Sequence, residues 1–389
     1  MNVLVCALES PGMLFPALKA GRKLTELGHN VRVVTGPDGE AAAARAGLEV
    51  LSRPKDAPEG FRVSGWGKRH NVDAQMLHLG AAWRQFPADA VIGGQLTLGP
   101  YFLAERERVP LVVLGMAAYL WPTPASERAT PADPAAWRER EMRRHYVREA
   151  LRVYEKARTH LGLPAWDKRL GNPLLANAFL VRSCHAIEGP PGELPPKVRC
   201  AGALLFEPEE RTLSQDVEAW LDRQHRAGRT VALSQVGRSF GHPSLWCTLR
   251  SLTCQGDLAI VADVGRADDP AAQREAGDLV LPVVGEPLGP LAARAGAIIG
   301  SGHSTLALLA LAHRVPTVTI PHGSGADLVA RQLEKAGLTQ VVPPEDGDVD
   351  GVRMALERAA GPGSGKARKE AAEALRQEER RFDWEEAFR

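Results

Sequence analysis

At 389 residues the chain is longer than one hydrophobic core usually organises, so two domains are the first expectation. Hydrophobic residues make up 44% and charged residues 24%, a balance that argues against a disordered, fibrous or membrane-embedded chain. The 48 basic and 47 acidic residues leave a formal charge of +1, so no global field draws the protein to nucleic acid or anionic lipid.

Five cysteines, Cys6, Cys184, Cys200, Cys247 and Cys254, are scattered without a CxxC pair. That pattern points to buried reduced thiols rather than to a disulfide framework or a zinc site. The opening run from Asn2 to Leu8 has no basic region before it and reads as a buried strand, not a signal peptide. The longest apolar stretch, residues 109–121, is too short to cross a bilayer. A cytoplasmic protein without membrane insertion is expected.

In chain order, Val3 to Ala7 is an apolar strand, followed by Leu14, Leu18, Gly21 and Leu24 at helical spacing and by Gly28 as a helix stop. Val31 to Thr35 forms a second strand, and this βαβ order implies a parallel sheet with right-handed crossovers. Short strands follow at 46–51, 90–93 and 110–114, with a helix from Tyr101 to Arg108. Residues 53–72 and 121–135 lack a period and read as long loops. A charged helix covers 138–160, and the proline-rich stretch 186–212 marks a boundary. The pattern then restarts: a helix from Val217, a strand at 230–235, a helix from Pro243, a strand at 258–262 and two further βα steps. A hinge at 361–365 precedes a last charged helix, 366–388.

Three strand-to-helix turns can present free backbone N–H groups to an anion. They are Glu9 to Met13, Ser234 to Ser239, and Gly300 to Thr305. In the third, Ser301, Gly302, His303, Ser304 and Thr305 precede an uninterrupted helix and make a competent diphosphate cradle. Equally, Gly302 can serve only to permit a tight turn. Gly237, Arg238 and Ser239 form the second turn, where Arg238 can pair with phosphate or stand as a solvated surface group. There is no GxSxG elbow, Walker lysine or HExxH.

The segments 10–18, 27–31 and 34–36, with the later stretch 287–321, resemble the antibiotic and macrolide glycosyltransferases of the UDP-glycosyltransferase superfamily. The resemblance runs from residue 1 to about 380. It implies an α/β chain of the GT-B type, two Rossmann-like domains facing across a cleft. Residues 1–205 would bind the acceptor, 206–365 the nucleotide sugar, and 366–389 would pack back on the first domain. The implied activity is inverting transfer of a sugar, of hexosyltransferase type, from a UDP or dTDP donor to a small lipophilic natural product. No further cofactor and no metal are implied, and a homodimer is left open.

Several positions depart from that family's pattern. Met13 stands where the family carries its catalytic histidine, and a thioether cannot accept a proton. Glu9, at the strand end, is the nearest replacement base, against the commoner role of a solvated loop carboxylate. The family's phosphate turn falls on Ser301-Gly302-His303, and its ribose-binding glutamate on Leu309. Its sugar-reading Asp-Gln pair falls on Gly325 and Ala326, with Asp327 within a short slip, and His322 lies nearby. Gly12, Trp66, Trp83, Tyr119 and Trp121 offer the acceptor a surface, although buried packing explains the aromatics equally well. These departures support a second reading: a GT-B protein that binds small molecules as an auxiliary, or one that runs different chemistry.

Overall fold

The computed structural model describes residues 1–115, 120–121, 127–207, 212–236, 245–265, 278–302, 304–322, 325–344 and 348–389. The chain divides into two compact units. The first comprises Met1–His185, Gly189–Glu209 and Glu378–Arg389, and the second comprises Ala186–Glu188 and Glu210–Gln377.

The first unit is built on seven parallel strands: β1 (Asn2–Cys6), β2 (Asn30–Val34), β3 (Glu49–Val50), β4 (Ala90–Gly94), β5 (Leu111–Gly115), β6 (Ala178–Val181) and β7 (Val198–Cys200). Their order is β3-β2-β1-β4-β5-β6-β7, so the strand order reverses between β1 and β4. Register is fixed by pairs such as Val3 with Val31 and with Ala90.

The inner strands β1, β4, β5 and β6 are nearly unbroken apolar runs because both faces of a parallel sheet are covered, whereas β2, β3 and β7 carry Arg32, Glu49 and Arg199. Leu4 and Cys6 enter one core with Val72 and Leu79 of α3 (Arg69–Gln85; α1 and α2 precede it, below) and with Tyr101 and Phe102. Val3 and Val5 enter the other core, against Leu14, Leu18 and Leu24 of α1 (Pro11–Glu26) and Ala42 and Ala43 of α2 (Pro37–Arg45). Tyr101 and Phe102 belong to α4 (Gly99–Glu107), and α5 (Pro134–His160) adds Tyr154 and Ala157 to the same core.

Residues 69–72, read from the sequence as loop, are the first turn of α3. Beside the apolar Val72, Ala74, Leu79 and Ala82, the inward face of α3 carries the polar Asn71, Gln75 and His78. His78 Nε2 lies 2.9 Å from the Leu51 carbonyl, and Gln75 Nε2 donates to the Gly60 carbonyl at 2.7 Å. Asn71 and Gln75 are 6% and 3% exposed. The helix therefore grips the 51–65 segment by its carbonyls, which is how an aperiodic stretch becomes ordered.

The second unit carries six parallel strands: β8 (Thr230–Gln235), β9 (Leu258–Asp263), β10 (Val280–Val283), β11 (Ala297–Gly300), β12 (Thr317–Thr319) and β13 (Gln340–Val341). Their order is β10-β9-β8-β11-β12-β13, with the reversal between β8 and β11. The helices are α6 (Gln215–Arg226), α7 (Leu245–Leu252), α8 (Leu288–Arg294), α9 (Ser304–His313), α10 (Ala326–Lys335), α11 (Val349–Ala360) and α12 (Pro362–Arg381). Trp246, Leu249 and Leu252 of α7 and Val352 and Ala355 of α11 bury one sheet face with Ile260, Ile299 and Val318.

Two expectations are corrected here. The 361–365 segment is not a hinge outside the last helix, because α12 starts at Pro362. A proline at the first helical position lacks an N–H that would have had no partner there. None of the five cysteines is in a disulfide, but only Cys6, Cys184 and Cys200 are buried, whereas Cys247 and Cys254 are exposed. No helix among the described residues is long and apolar enough to cross a membrane.

Candidate functional site

In open parallel sheets, ligands bind outside the carboxyl ends of the strands where the order reverses. In the second unit that point lies between Gln235, ending β8, and Gly300, ending β11. Ser301 and Gly302 follow, and α9 starts at Ser304. The Ser301 carbonyl accepts from the His322 N–H at 3.1 Å, which places the segment after β12 against this turn.

Gly302 has φ +87°, and a Cβ there would stand 2.7 Å from the Ala326 carbonyl oxygen. Only glycine fits that approach without strain. The turn is thereby set against the start of α10, whose N-cap Gly325 is also left-handed at φ +77°. Two helix N-termini, those of α9 and α10, converge on Ser301, Gly302 and His322.

The two ends differ in charge. The first turn of α9 carries no acidic residue, whereas α10 has half-buried Asp327 in its first turn. The positive end of α9 favours an anion, whereas the carboxylate of Asp327 disfavours one at the start of α10. Ser301 and Ser304 are buried, and Thr305 and His322 are half-buried. Leu309 is 7% exposed in the α9 body. His303, Gly237, Arg238 and Ser239 lie outside the described residues.

One group at this edge has no counterpart in the sequence reading. Asp263, ending β9, is 5% exposed and accepts from Gln235 Nε2 at 3.0 Å and from the Gly265 N–H at 3.1 Å. Burial raises its pKa above the usual carboxylate range, while these two donors pull the other way. The sequence signal for it was an aspartate closing the apolar run Leu258 to Ala262.

In the first unit, Glu9 follows β1 at the corresponding reversal. Arg62 Nε donates to Oε1 at 3.1 Å, and the Glu9 side chain is 11% exposed. A Cβ on Gly36 would collide with Oε2, so Gly36 makes room for the carboxyl beside the first turn of α2. Burial first, and then the charge of Asp38, raises the Glu9 pKa, and Arg62 lowers it. Glu9 is therefore no solvated loop carboxylate.

Met13 is half-buried and packs on the core that holds Phe61 and Leu98. Gly12, beside it, gives its carbonyl to Arg182 Nη1 at 3.0 Å. Trp121 is corrected as an open contact surface: it is 2% exposed and meets Phe179 edge to face at 5.4 Å. Trp83 is half-buried against the same core. Trp66 is also half-buried, with its Nε1 unpartnered among the described residues. Tyr119 lies outside the described residues. Among the described residues no cluster of His, Cys, Asp or Glu is fit to hold a metal ion.

No family model matches the chain. A curated relative, 4'-demethylrebeccamycin synthase of Lentzea aerocolonigenes, is 23% identical over 242 residues, 52% of this chain and 56% of that protein. The match thus spans little more than half of the relative's length. The solved structure of the kitacinnamycin glycosyltransferase superposes with a TM-score of 0.73 at 18% identity, covering 97% of this chain and 95% of its own. A spinosyn rhamnosyltransferase complexed with thymidine diphosphate gives 0.66 at 16%, covering 97% and 96%. The same enzyme complexed with spinosyn aglycone gives 0.67 at 16%, with the same coverage. The fold is that of the GT-B natural-product glycosyltransferases, as the sequence resemblance implied.

Proposed function

We propose that the protein transfers a sugar from a nucleoside diphosphate donor, of UDP or dTDP type, to a hydroxyl group of a small lipophilic natural product. The observation that carries this reading is the pair of helix N-termini meeting at Gly302, at the reversal of the second sheet. The diphosphate settles on the Ser301–Gly302 turn and the acid-free start of α9. The sugar faces Asp327 and His322, and Arg238, three residues past the end of β8 in the sequence, is the candidate to pair with phosphate. Support for the donor class also comes from the thymidine diphosphate bound by a spinosyn rhamnosyltransferase of the same fold.

In this reading Glu9 takes the acceptor proton. Its pKa, raised mainly by burial, brings a carboxylate nearer the basicity that the step needs. Transfer with inversion follows from one displacement at the anomeric carbon: the acceptor oxygen forms its bond as the diphosphate leaves.

A second reading, a binding or auxiliary protein, is favoured by Met13 in the base position and by the engagement of Glu9 with Arg62. Calorimetric titration of UDP and dTDP, followed by mass-spectrometric transfer assays with hydroxylated aglycones, separates the two. Nucleotide binding that weakens in Arg238→Ala, together with a glycosylated product lost in Glu9→Gln, is the expected result. Nucleotide binding without product from any donor and acceptor pair would favour the second reading.

A further inference from the structure

The strand order of the second sheet, β10-β9-β8-β11-β12-β13, is the 3-2-1-4-5-6 order of the dinucleotide-binding fold. In that fold the phosphates sit at the reversal. An acidic residue near the end of the second strand, about twenty residues past the glycine turn, accepts from a ribose hydroxyl. Here the second strand is β9, and its last residue is Asp263.

Asp263 is dressed for such a role. Gln235 and the Gly265 N–H each supply one hydrogen bond, whereas a carboxylate offers about four acceptor sites. A turn-forming aspartate needs one oxygen and no burial. Asp263 has both oxygens engaged at 5% exposure, fixed by a glutamine from the adjacent strand. Strand β8 separates β9 from β11, so their carboxyl ends lie roughly 10 Å apart, a span that a nucleoside diphosphate bridges. Leu309, in the α9 body, has no acceptor to offer a ribose.

We infer that Asp263, braced by Gln235, accepts a hydrogen bond from a ribose hydroxyl of a nucleoside diphosphate whose phosphates lie on the Ser301–Gly302 turn. The assignment rests on the nucleotide reading above and gives it a sugar-recognition residue of its own.

The test is calorimetric titration of the full chain with UDP and with 2',3'-dideoxyuridine diphosphate, repeated on Asp263→Asn. Wild type is expected to bind UDP roughly ten- to a hundred-fold more tightly than the dideoxy analogue. In Asp263→Asn that preference should fall to less than about three-fold, with dideoxy binding little changed. The wild-type comparison needs no variant and stands even if Asp263→Asn fails to fold. UDP binding without preference over the dideoxy analogue, or a preference kept intact in the variant, overturns the role of Asp263 alone. No binding of either nucleotide overturns the nucleotide reading with it.

Discussion

Replacing Arg182 with methionine tests how the start of α1 is held. Residue 16 of that helix is proline, so the Gly12 carbonyl four residues earlier lacks its usual α-helical donor. Arg182 Nη1 fills the gap at 3.0 Å, and its Nε donates to the Ala203 carbonyl at 3.3 Å. The side chain sits in a residue only 4% exposed, where burial draws its pKa down to about 10 and leaves it charged at neutral pH. Two hydrogen bonds from a charged donor are worth about 3–6 kcal/mol together. Removing a buried cation returns part of that as relieved desolvation. A net loss of about 2–4 kcal/mol is expected for Arg182→Met, read by urea unfolding. The companion variant Pro16→Ala restores an N–H to the Gly12 carbonyl. In that background the Arg182→Met penalty should shrink by about 1 kcal/mol. An Arg182→Met protein as stable as wild type, or a penalty indifferent to residue 16, would refute the reasoning.

Gly302→Ala forces a side chain into a left-handed backbone and against the Ala326 carbonyl. It should cost about 2–3 kcal/mol in urea unfolding and weaken UDP binding in calorimetry. Glu9→Gln should change the pH dependence of stability. Because the folded state raises the Glu9 pKa, the native chain holds that proton more tightly than the unfolded chain. Stability conferred on the acid side is therefore lost as pH rises from the ordinary glutamate range through the raised value, and thermal melts of Glu9→Gln should lack that fall. At α5, Asp133 accepts from the Ala136 N–H at 3.1 Å, so Asp133→Ala should cost about 1 kcal/mol, measured by the same unfolding assay.

The strands were legible because parallel strands buried on both faces are nearly unbroken apolar runs, as in Val3 to Cys6 and Leu258 to Ala262. Helix α3 was not fully legible for the opposite reason. Asn71, Gln75 and His78 face inward and bond to backbone carbonyls, so the apolar period that marks a helix is diluted. Strand β7 is three residues long and too short to show alternation. The glycine turn at 300–302 could be read from sequence, but its contact with Ala326 could not, since β12 lies between them in the chain. Asp263 escaped notice because its meaning depends on strand order, a property of the assembled sheet. Trp121 shows the converse limit: an aromatic residue in a loop reads equally as contact surface and as core, and packing against Phe179 decides it.

A crystal structure of the full chain soaked with dTDP addresses the central claim most directly. The account predicts phosphate oxygens within hydrogen-bond reach of the Ser301–Gly302 turn and the start of α9, with the ribose toward β9. A nucleotide whose phosphates bind away from that turn, or a turn already filled by its own side chains, would contradict it.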